Sequence, residues 1–385
     1  MINLEYSLPV DSTFLSNILY EGVLRYLSIG SMDKAFKIML QRIPDNERIY
    51  IISKNDRKIP RYIINALYGE EFLEQNVEDV RNLLDKNFIE LIANSETVKN
   101  FVFSSDLFKI KIQGNSFVIG NGKITGFQLL KVDRYTGISS LETNFTTKQY
   151  TLRLSIESYL LALLGIYSSF VTYANGYYFF LFLSPDRVID FYFNRPLQKI
   201  INFFRIKDKI IDEVREILKK TIVMELMIIE LIANTTIMKL MKEVNLDSAS
   251  LFLFRIAPEG QTYKIYESTP ITIYSKPVFH DLCKKYFRSE ERFIERIHSM
   301  LRPDEVILTR LAKANSIEYN NLIKAIYGLY RFIVLSNVNG LHEFIREILN
   351  AYEKTKNEYP RIASCLLYTS PSPRDLSTSR MPSSA

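Results

Sequence analysis

The chain has three histidines, His280, His298 and His342, and all fall in its last third. His280 stands three positions before Cys283, an H-x-x-C pair. A structural zinc site needs a second pair of nitrogen or sulfur ligands, and no such pair stands at metal-site spacing. The two are expected on a helix surface. Lys284 and Lys285 would lower the pKa of the Cys283 thiol, but a cysteine nucleophile also needs a positioned base, and the sequence supplies none. The acidic candidates are Asp133, Glu142, Glu157, Glu225 and Glu230. Glu225 and Glu230 interrupt the apolar run IVMELMIIELIA, where an unpaired carboxylate is costly. Five residues apart, they point to different faces of a helix and cannot share one metal. Each is expected to pair with a basic group of a neighbouring helix. Asp186 and Asp190 share a face and serve the helix dipole and the solvent.

Gly120-Asn121-Gly122 has the look of a phosphate loop. A strand follows it, however, and the Lys-Ser/Thr of a P-loop is absent. Asn-Gly is the pair favoured in tight hairpins, so the segment reads as a turn. No cofactor motif, nuclease motif, helicase motif or transferase motif emerges, and the reading is of a protein that is not an enzyme.

Basic residues interleave with aromatics in three places. The first holds Lys109, Lys111, Lys123, Lys131 and Arg134, with the Asn121 hairpin tip beside Lys123. The second, FFRIKDKI, holds Arg205, Lys207 and Lys209. The third, CKKYFR, holds Lys284, Lys285 and Arg288. Such clusters neutralise phosphates with release of counterions, and neighbouring aromatics stack on unpaired bases. Solvated faces have the same composition.

The elements that must carry these residues follow from periodicity. Residues 11–29 have apolar positions at helical spacing, with Asp11 and Ser12 as candidate caps. A helix from Asp33, a strand at Arg48–Ser53 and a helix at Val77–Ala93 are expected next. Residues 101–131 read as a three-stranded meander around Gly114-Asn115 and Asn121-Gly122. Ser158 to Ser184 carries no charge and is long enough to span a bilayer. The Asn175-Gly176 break inside it favours a buried helix followed by a buried strand. Ser184, Pro185 and Asp186 open another helix. A long helical segment runs from Asp208 to Val244, with an interruption near Asn234-Thr235. A hairpin, Leu251–Ala257 and Thr262–Glu267, follows. The rest is helical, with breaks near Arg302-Pro303, Asn315-Ser316 and Asn339-Gly340, and reads as a four-helix bundle. The fold class is α+β: a mixed α/β region over 1–277 with central antiparallel strands, then a C-terminal helical bundle over 278–358.

Composition bounds the remaining choices. Of 385 residues, 47% are apolar and 24% charged, enough to build a packed interior. The net charge of +6 permits contact with nucleic acid without demanding it. Residues 365–385, CLLYTSPSPRDLSTSRMPSSA, have no apolar period and resemble a translated sequencing-adaptor read-through, not native sequence. Outside them Cys283 is the one cysteine, which fits a reducing compartment. No secretory signal is visible, and a cytoplasmic protein is expected.

Three runs resemble the large subunit of the archaeal type I-A CRISPR interference (Cascade) complex, the Cas-eight-a (Csa-four) family. They are ILYEGVLRYLSIGS, ESYLLALLGIYSSFV with GYYFFLFLSPDRV, and LFRIAPEGQTYKIYESTPITIY. With the layout of mixed N-terminal part, central strands and helical C-terminal part, the likeness extends from about Leu4 to about Glu358. It implies a non-catalytic subunit of an RNA-guided antiviral surveillance complex. The implied partners are crRNA, the backbone and end-capping Cas proteins, the small subunit, target double-stranded DNA and the helicase-nuclease. The implied task is to help recognise the protospacer-adjacent duplex and bind target DNA. Two other readings stay open: a metal-dependent nuclease or other defence enzyme with an unrecognised carboxylate site, and a membrane-associated protein anchored through 158–183.

Overall fold

The run from Thr13 to Gly30 has apolar residues on every turn and a glycine where a helix must stop. In the computed structural model α1 spans Phe14–Ile29, and Gly30 ends it at φ 77° with its N–H on the Tyr26 carbonyl. Thr13, rather than Asp11 or Ser12, is the N-cap residue, and its side chain makes no capping hydrogen bond. The structure describes residues 5–7, 13–42, 109–113, 116–120, 124–125, 151–219, 223–259, 262–279, 306–311 and 315–363, with isolated positions between them. The strand expected at Arg48–Ser53, the helix expected at Val77–Ala93, the Arg302-Pro303 break and the 365–385 tail lie outside the described residues.

The chain divides into two compact units, Met1–Phe204 with Ser250–Pro270, and Arg205–Ala249 with Ile271–Ala385. The boundary expected after residue 277 falls inside the second.

In the first unit, α2 (Met32–Arg42) follows α1 after a two-residue link. A five-stranded sheet is built from β1 (Glu5–Ser7), β2 (Lys109–Gln113), β3 (Ser116–Ile119), β4 (Ile124–Thr125) and β5 (Thr151–Leu154), in the order β1-β2-β3-β5-β4. The expected meander is therefore only half present. β2 and β3 form the hairpin, but β5 lies between β3 and β4, parallel to the first and antiparallel to the second. The physical reason is burial. Val118 and Ile119 of β3 and Leu152 and Leu154 of β5 are all buried, so these strands take the inner places and the two-residue β4 forms a short edge.

The charge-free run resolves into three elements. Helix α3 (Ile156–Ser169) is capped by Ser155, whose side chain accepts the Ser158 N–H at 3.1 Å. Strands β6 (Phe170–Ala174) and β7 (Tyr177–Leu183) follow as a hairpin. Its turn residues Asn175 and Gly176 have φ of 52° and 85°, the pair of positive values that matches the twist of the flanking strands. At 1.5 Å per residue α3 is about 21 Å long, short of a hydrocarbon core of roughly 30 Å. Among the described residues no helix is long and apolar enough to cross a membrane. The anchor reading for 158–183 is thereby replaced by a buried helix and hairpin.

Strand β7 pairs with β8 (Ser248–Glu259) from Tyr178↔Ile256 to Leu183↔Leu251, and β9 (Thr262–Tyr274) completes a sheet ordered β6-β7-β8-β9. Phe14 of α1 meets Phe180, Phe182 and Phe254 edge-to-face at 5.3, 5.4 and 5.7 Å. That geometry suits the ring quadrupoles and ties the helix to this sheet.

Helices α1 and α3 cross at two glycines. A Cβ on Gly22 would stand 1.9 Å from the Leu161 carbonyl oxygen, and one on Gly165 would stand 1.9 Å from that of Ile18. Beside the crossing, Arg25 Nε donates to Ser168 Oγ at 2.7 Å, Ser168 Oγ donates to Glu21, and the Arg25 guanidinium lies 4.0 Å from the Phe204 ring centre. Glu21 and Arg25 are both buried, so each charge is kept inside by a hydrogen-bonded neighbour.

Helix α4 (Pro185–Asn194) has Pro185 in its first turn as expected, while the Ser184 side chain makes no capping bond. Helix α5 (Leu197–Leu218) begins earlier than the periodicity implied. In the second unit, α6 (Met224–Ala233) ends at Asn234, whose side chain then caps α7 (Thr235–Glu243) by accepting the Ile237 N–H at 3.0 Å. α8 (Val306–Leu311), α9 (Tyr319–Ile333) and α10 (Val338–Thr355) follow, with the Asn315-Ser316 break between α8 and α9. Helix α6, apolar nearly all round, packs on α9, so the C-terminal helices draw in an element from before residue 278.

The expected break at Asn339-Gly340 lies inside α10, and the chain turns earlier, at Asn337. Gly340 is there for contact, not for chain reversal. A Cβ on it would stand 2.4 Å from the Gly328 carbonyl oxygen of α9, and one on Gly328 would stand 2.8 Å from that of Gly340. Nearby, Arg310 Nε donates to Glu318, whose side chain is fully buried. Burial, the strongest influence, pushes the Glu318 carboxyl up. The Arg310 hydrogen bond, a backbone hydrogen bond and the Arg310 charge together bring it below its ordinary range.

Two outcomes follow for stability. Gly165→Ala forces backbone off backbone, and denaturant titration is expected to show a loss of roughly 1–3 kcal/mol or more. An unchanged midpoint would mean that the helices do not approach this closely. Because the Glu318 pKa is depressed by folding, its stabilisation is present above the ordinary carboxyl pKa of about 4.3 and fades as pH falls through the folded value. Glu318→Gln is expected to flatten the stability curve below about pH 4, whereas Arg310→Met, which strands the buried carboxylate, is expected to remove roughly 3–5 kcal/mol at neutral pH.

Candidate nucleic-acid interface

Lys109 and Lys111 occupy alternate positions of β2 and so share one face of the sheet; both are half-buried. In register, Lys111 lies across from Glu5 and Lys109 across from Ser7. Asn121, Lys123, Lys131, Arg134, Lys284, Lys285 and Arg288 lie outside the described residues. On α5, Arg205 is exposed and Lys209 holds Glu213 at 2.9 Å. Lys207 is fully buried. It is not part of a surface patch, and the reason is helical geometry: residues two apart point to opposite sides, so 205 and 209 can face solvent together only with 207 turned inward.

The candidates for bond-making chemistry are placed as follows. His342 is exposed, Cys283 is buried and not in a disulfide, and His280 and His298 lie outside the described residues, as do Asp133 and Glu142. Glu230 is buried, Glu225 and Glu157 are half-buried, and Asp186 is exposed. Asp190 accepts from Asn194 at 2.8 Å. Among the described residues no group of three or more His, Cys, Asp or Glu side chains could hold a metal ion. A buried carboxylate that sequence reasoning passed over, Glu347, accepts from Asn321 at 2.8 Å. Burial raises its pKa most strongly of any single influence, but the Asn321, Asn350 and Arg346 hydrogen bonds and the Arg346 charge carry it below its usual range. Like Glu318, it is held charged by groups of its own helical packing.

What the structure does gather is a set of tyrosines and cations at the turn end of the β6–β9 sheet. The β6–β7 turn and the end of the β8–β9 hairpin lie at the same end, because Tyr178 is in register with Ile256. Tyr177 of β7 meets Tyr266 of β9 edge-to-face at 5.4 Å. Arg255 of β8 lies over Tyr177, 4.9 Å from its ring centre, and holds Glu267 at 3.3 Å. Lys264 lies 5.7 Å from the Tyr266 ring centre. Tyr178 meets Tyr173 of β6 at 4.7 Å and Tyr263 of β9 at 5.9 Å. Tyr266 is 47% exposed, against 6% for Tyr178. As successive residues of β7, Tyr177 and Tyr178 face opposite sides of the sheet, so Tyr177, Arg255, Lys264 and Tyr266 share one face and the buried Tyr178 contacts belong to the other. In sequence these residues are scattered through YANGYY and QTYKIYE, with Arg255 upstream. Aromatic density was visible there, but the registry that aligns the two hairpin ends was not.

No family model matches the chain, and no solved structure matches it. An uncharacterized protein of the archaeon Archaeoglobus fulgidus is 40% identical over an alignment of 388 residues that takes in 93% of this chain and 94% of that protein. Identity at that level over nearly the full length of both partners carries the same fold, so the chain belongs to the family of this Archaeoglobus fulgidus protein.

Proposed function

We propose that the chain is the non-catalytic large subunit of a cytoplasmic, type I-A CRISPR RNA-guided complex. One observation supports this reading above the others. The three runs that resemble such subunits form α1, α3 with β6 and β7, and the β8–β9 hairpin. α1 packs on α3 through Gly22 and Gly165, and β7 pairs with β8. Residues far apart in sequence thus build one contiguous body, as they would if the likeness belonged to a whole domain. The archaeal relative is in keeping with an archaeal complex. In such a system, pairing with the guide reads most of the target, while protein contacts a short flanking duplex and the backbone. Crossing the phosphate backbone requires accessible cations, and of the α5 candidates Arg205 is exposed while Lys209 is half-buried beside Glu213.

The test is co-expression with the neighbouring genes, pull-down through a tag on this chain, and binding of target duplex by the product. The chain is expected to bring down guide RNA together with the backbone, end-capping and small subunits. Arg205→Gln with Lys209→Gln is expected to leave assembly intact, weaken target-duplex binding about tenfold and reduce the salt slope by about 2. A chain that elutes alone in the presence of those subunits overturns the reading. So does magnesium-dependent cleavage by the isolated chain that one Glu→Gln change abolishes, which would make it a nuclease.

A further inference from the structure

We infer that the turn end of the β6–β9 sheet is a binding site for unpaired nucleotides, with Tyr266 and Tyr177 as stacking surfaces and Arg255 and Lys264 as phosphate partners. This deepens the proposed role and rests on it for the presence of nucleic acid; the kind of ligand is argued from the site alone.

Four side chains from three adjacent strands converge there: Tyr177, Arg255, Lys264 and Tyr266. The guanidinium lies 4.9 Å from the Tyr177 ring centre, the ammonium 5.7 Å from the Tyr266 ring centre, and the rings touch at 5.4 Å. Tyr266 is half exposed, and the Asn175-Gly176 turn beside the site projects into open space. Ring pairs of this kind stabilise a hairpin whether or not anything binds, and that accounts for the ring contacts. Among the described residues two cations, Arg255 and Lys264, stand with one carboxylate, Glu267, beside the two rings, and the ligand complementary to cations set beside ring faces is a flexible chain of flat, anionic units.

The same geometry selects unpaired over paired strands. In a duplex the base faces are already stacked and only phosphates remain to be bound, for which two cations are few. In a single strand the bases are available to tyrosine faces and to the guanidinium plane, with little regard to sequence.

The experiment uses the full chain and fluorescence anisotropy with a labelled oligothymidylate of about 20 nucleotides, longer than the roughly 4–16 that an aromatic groove of this kind covers, and a labelled duplex of the same length. The unpaired probe is expected to bind more tightly than the duplex. Tyr266→Ala, at an exposed position, is expected to weaken unpaired binding about tenfold with no change in salt slope, while Tyr266→Phe, which keeps the ring, binds as the parent does. Lys264→Gln is expected to lower the slope by about 0.7, the contribution of one phosphate on a single strand. Circular dichroism of each variant checks that the sheet is intact. Equal binding of the two probes, or parental affinity in Tyr266→Ala, overturns the inference even if the chain assembles with guide RNA. The tyrosine dependence appearing in a chain that never joins such a complex upholds the inference and removes the complex. Loss of a protein subunit in Tyr266→Ala, with oligonucleotide affinity unchanged, would make the face a protein contact and overturn it too.

Discussion

The first unit is organised around two glycines that let helix backbones touch. Wherever Gly22 meets the Leu161 carbonyl and Gly165 meets that of Ile18 there is no room for a side chain. The rest of the unit is set by that distance. At this separation the residues flanking the crossing, Glu21 and Arg25 on one helix and Ser168 on the other, are close enough to bond directly. The N-terminal end of α1 is then held so that Phe14 reaches three phenylalanines of the β6–β9 sheet. The second unit repeats the device with Gly328 and Gly340. Close helix approach increases dispersion contact and removes water from the polar groups beside it, so a buried charge next to such a crossing needs hydrogen-bonded neighbours.

The ionisable interior follows from this. Glu21, Glu318 and Glu347 sit in packed surroundings, and the partners that hold them come from the helix opposite or from the next turn of chain. Carboxylates that serve catalysis are usually found with strongly perturbed pKa values in a cleft. Here the hydrogen bonds of Glu318 and Glu347 oppose burial and win, which keeps both groups charged and fixed. That electrostatic arrangement supports the packing of the fold.

Much of the secondary structure was legible, because its signals are local. The Asn175-Gly176 break, Pro185 in the first turn of α4 and the interruption at Asn234 were each apparent from residue type and neighbours, whereas strand β6 before the break and the capping role of Asn234 were not. Most of what else escaped depended on a distant partner. Gly340 reads as a breaker until Gly328 is known to lie against it. The place of β5 between β3 and β4 depends on which strands bury both faces, not on chain order. Lys207 could have been excluded from sequence alone, since a helix cannot present 205, 207 and 209 together. The tyrosine set could not have been found that way, because it needs the register of β7 against β8.

The chain passes between its two units more than once: Ser250–Pro270 belongs with Met1–Phe204, while Arg205–Ala249 does not. Strand β7 therefore leaves the ribosome long before β8, the neighbour that covers its second edge. About 70 residues separate Leu183 from its partner Leu251, so at roughly 5–20 residues per second an edge reading YYFFLFL stays open for about 3–14 s during synthesis. Such an edge is a template for pairing with other chains. Elongation speed through the intervening helices thus determines how long the nascent polypeptide is exposed to aggregation, and a fragment ending at Phe204 would carry that hazard permanently.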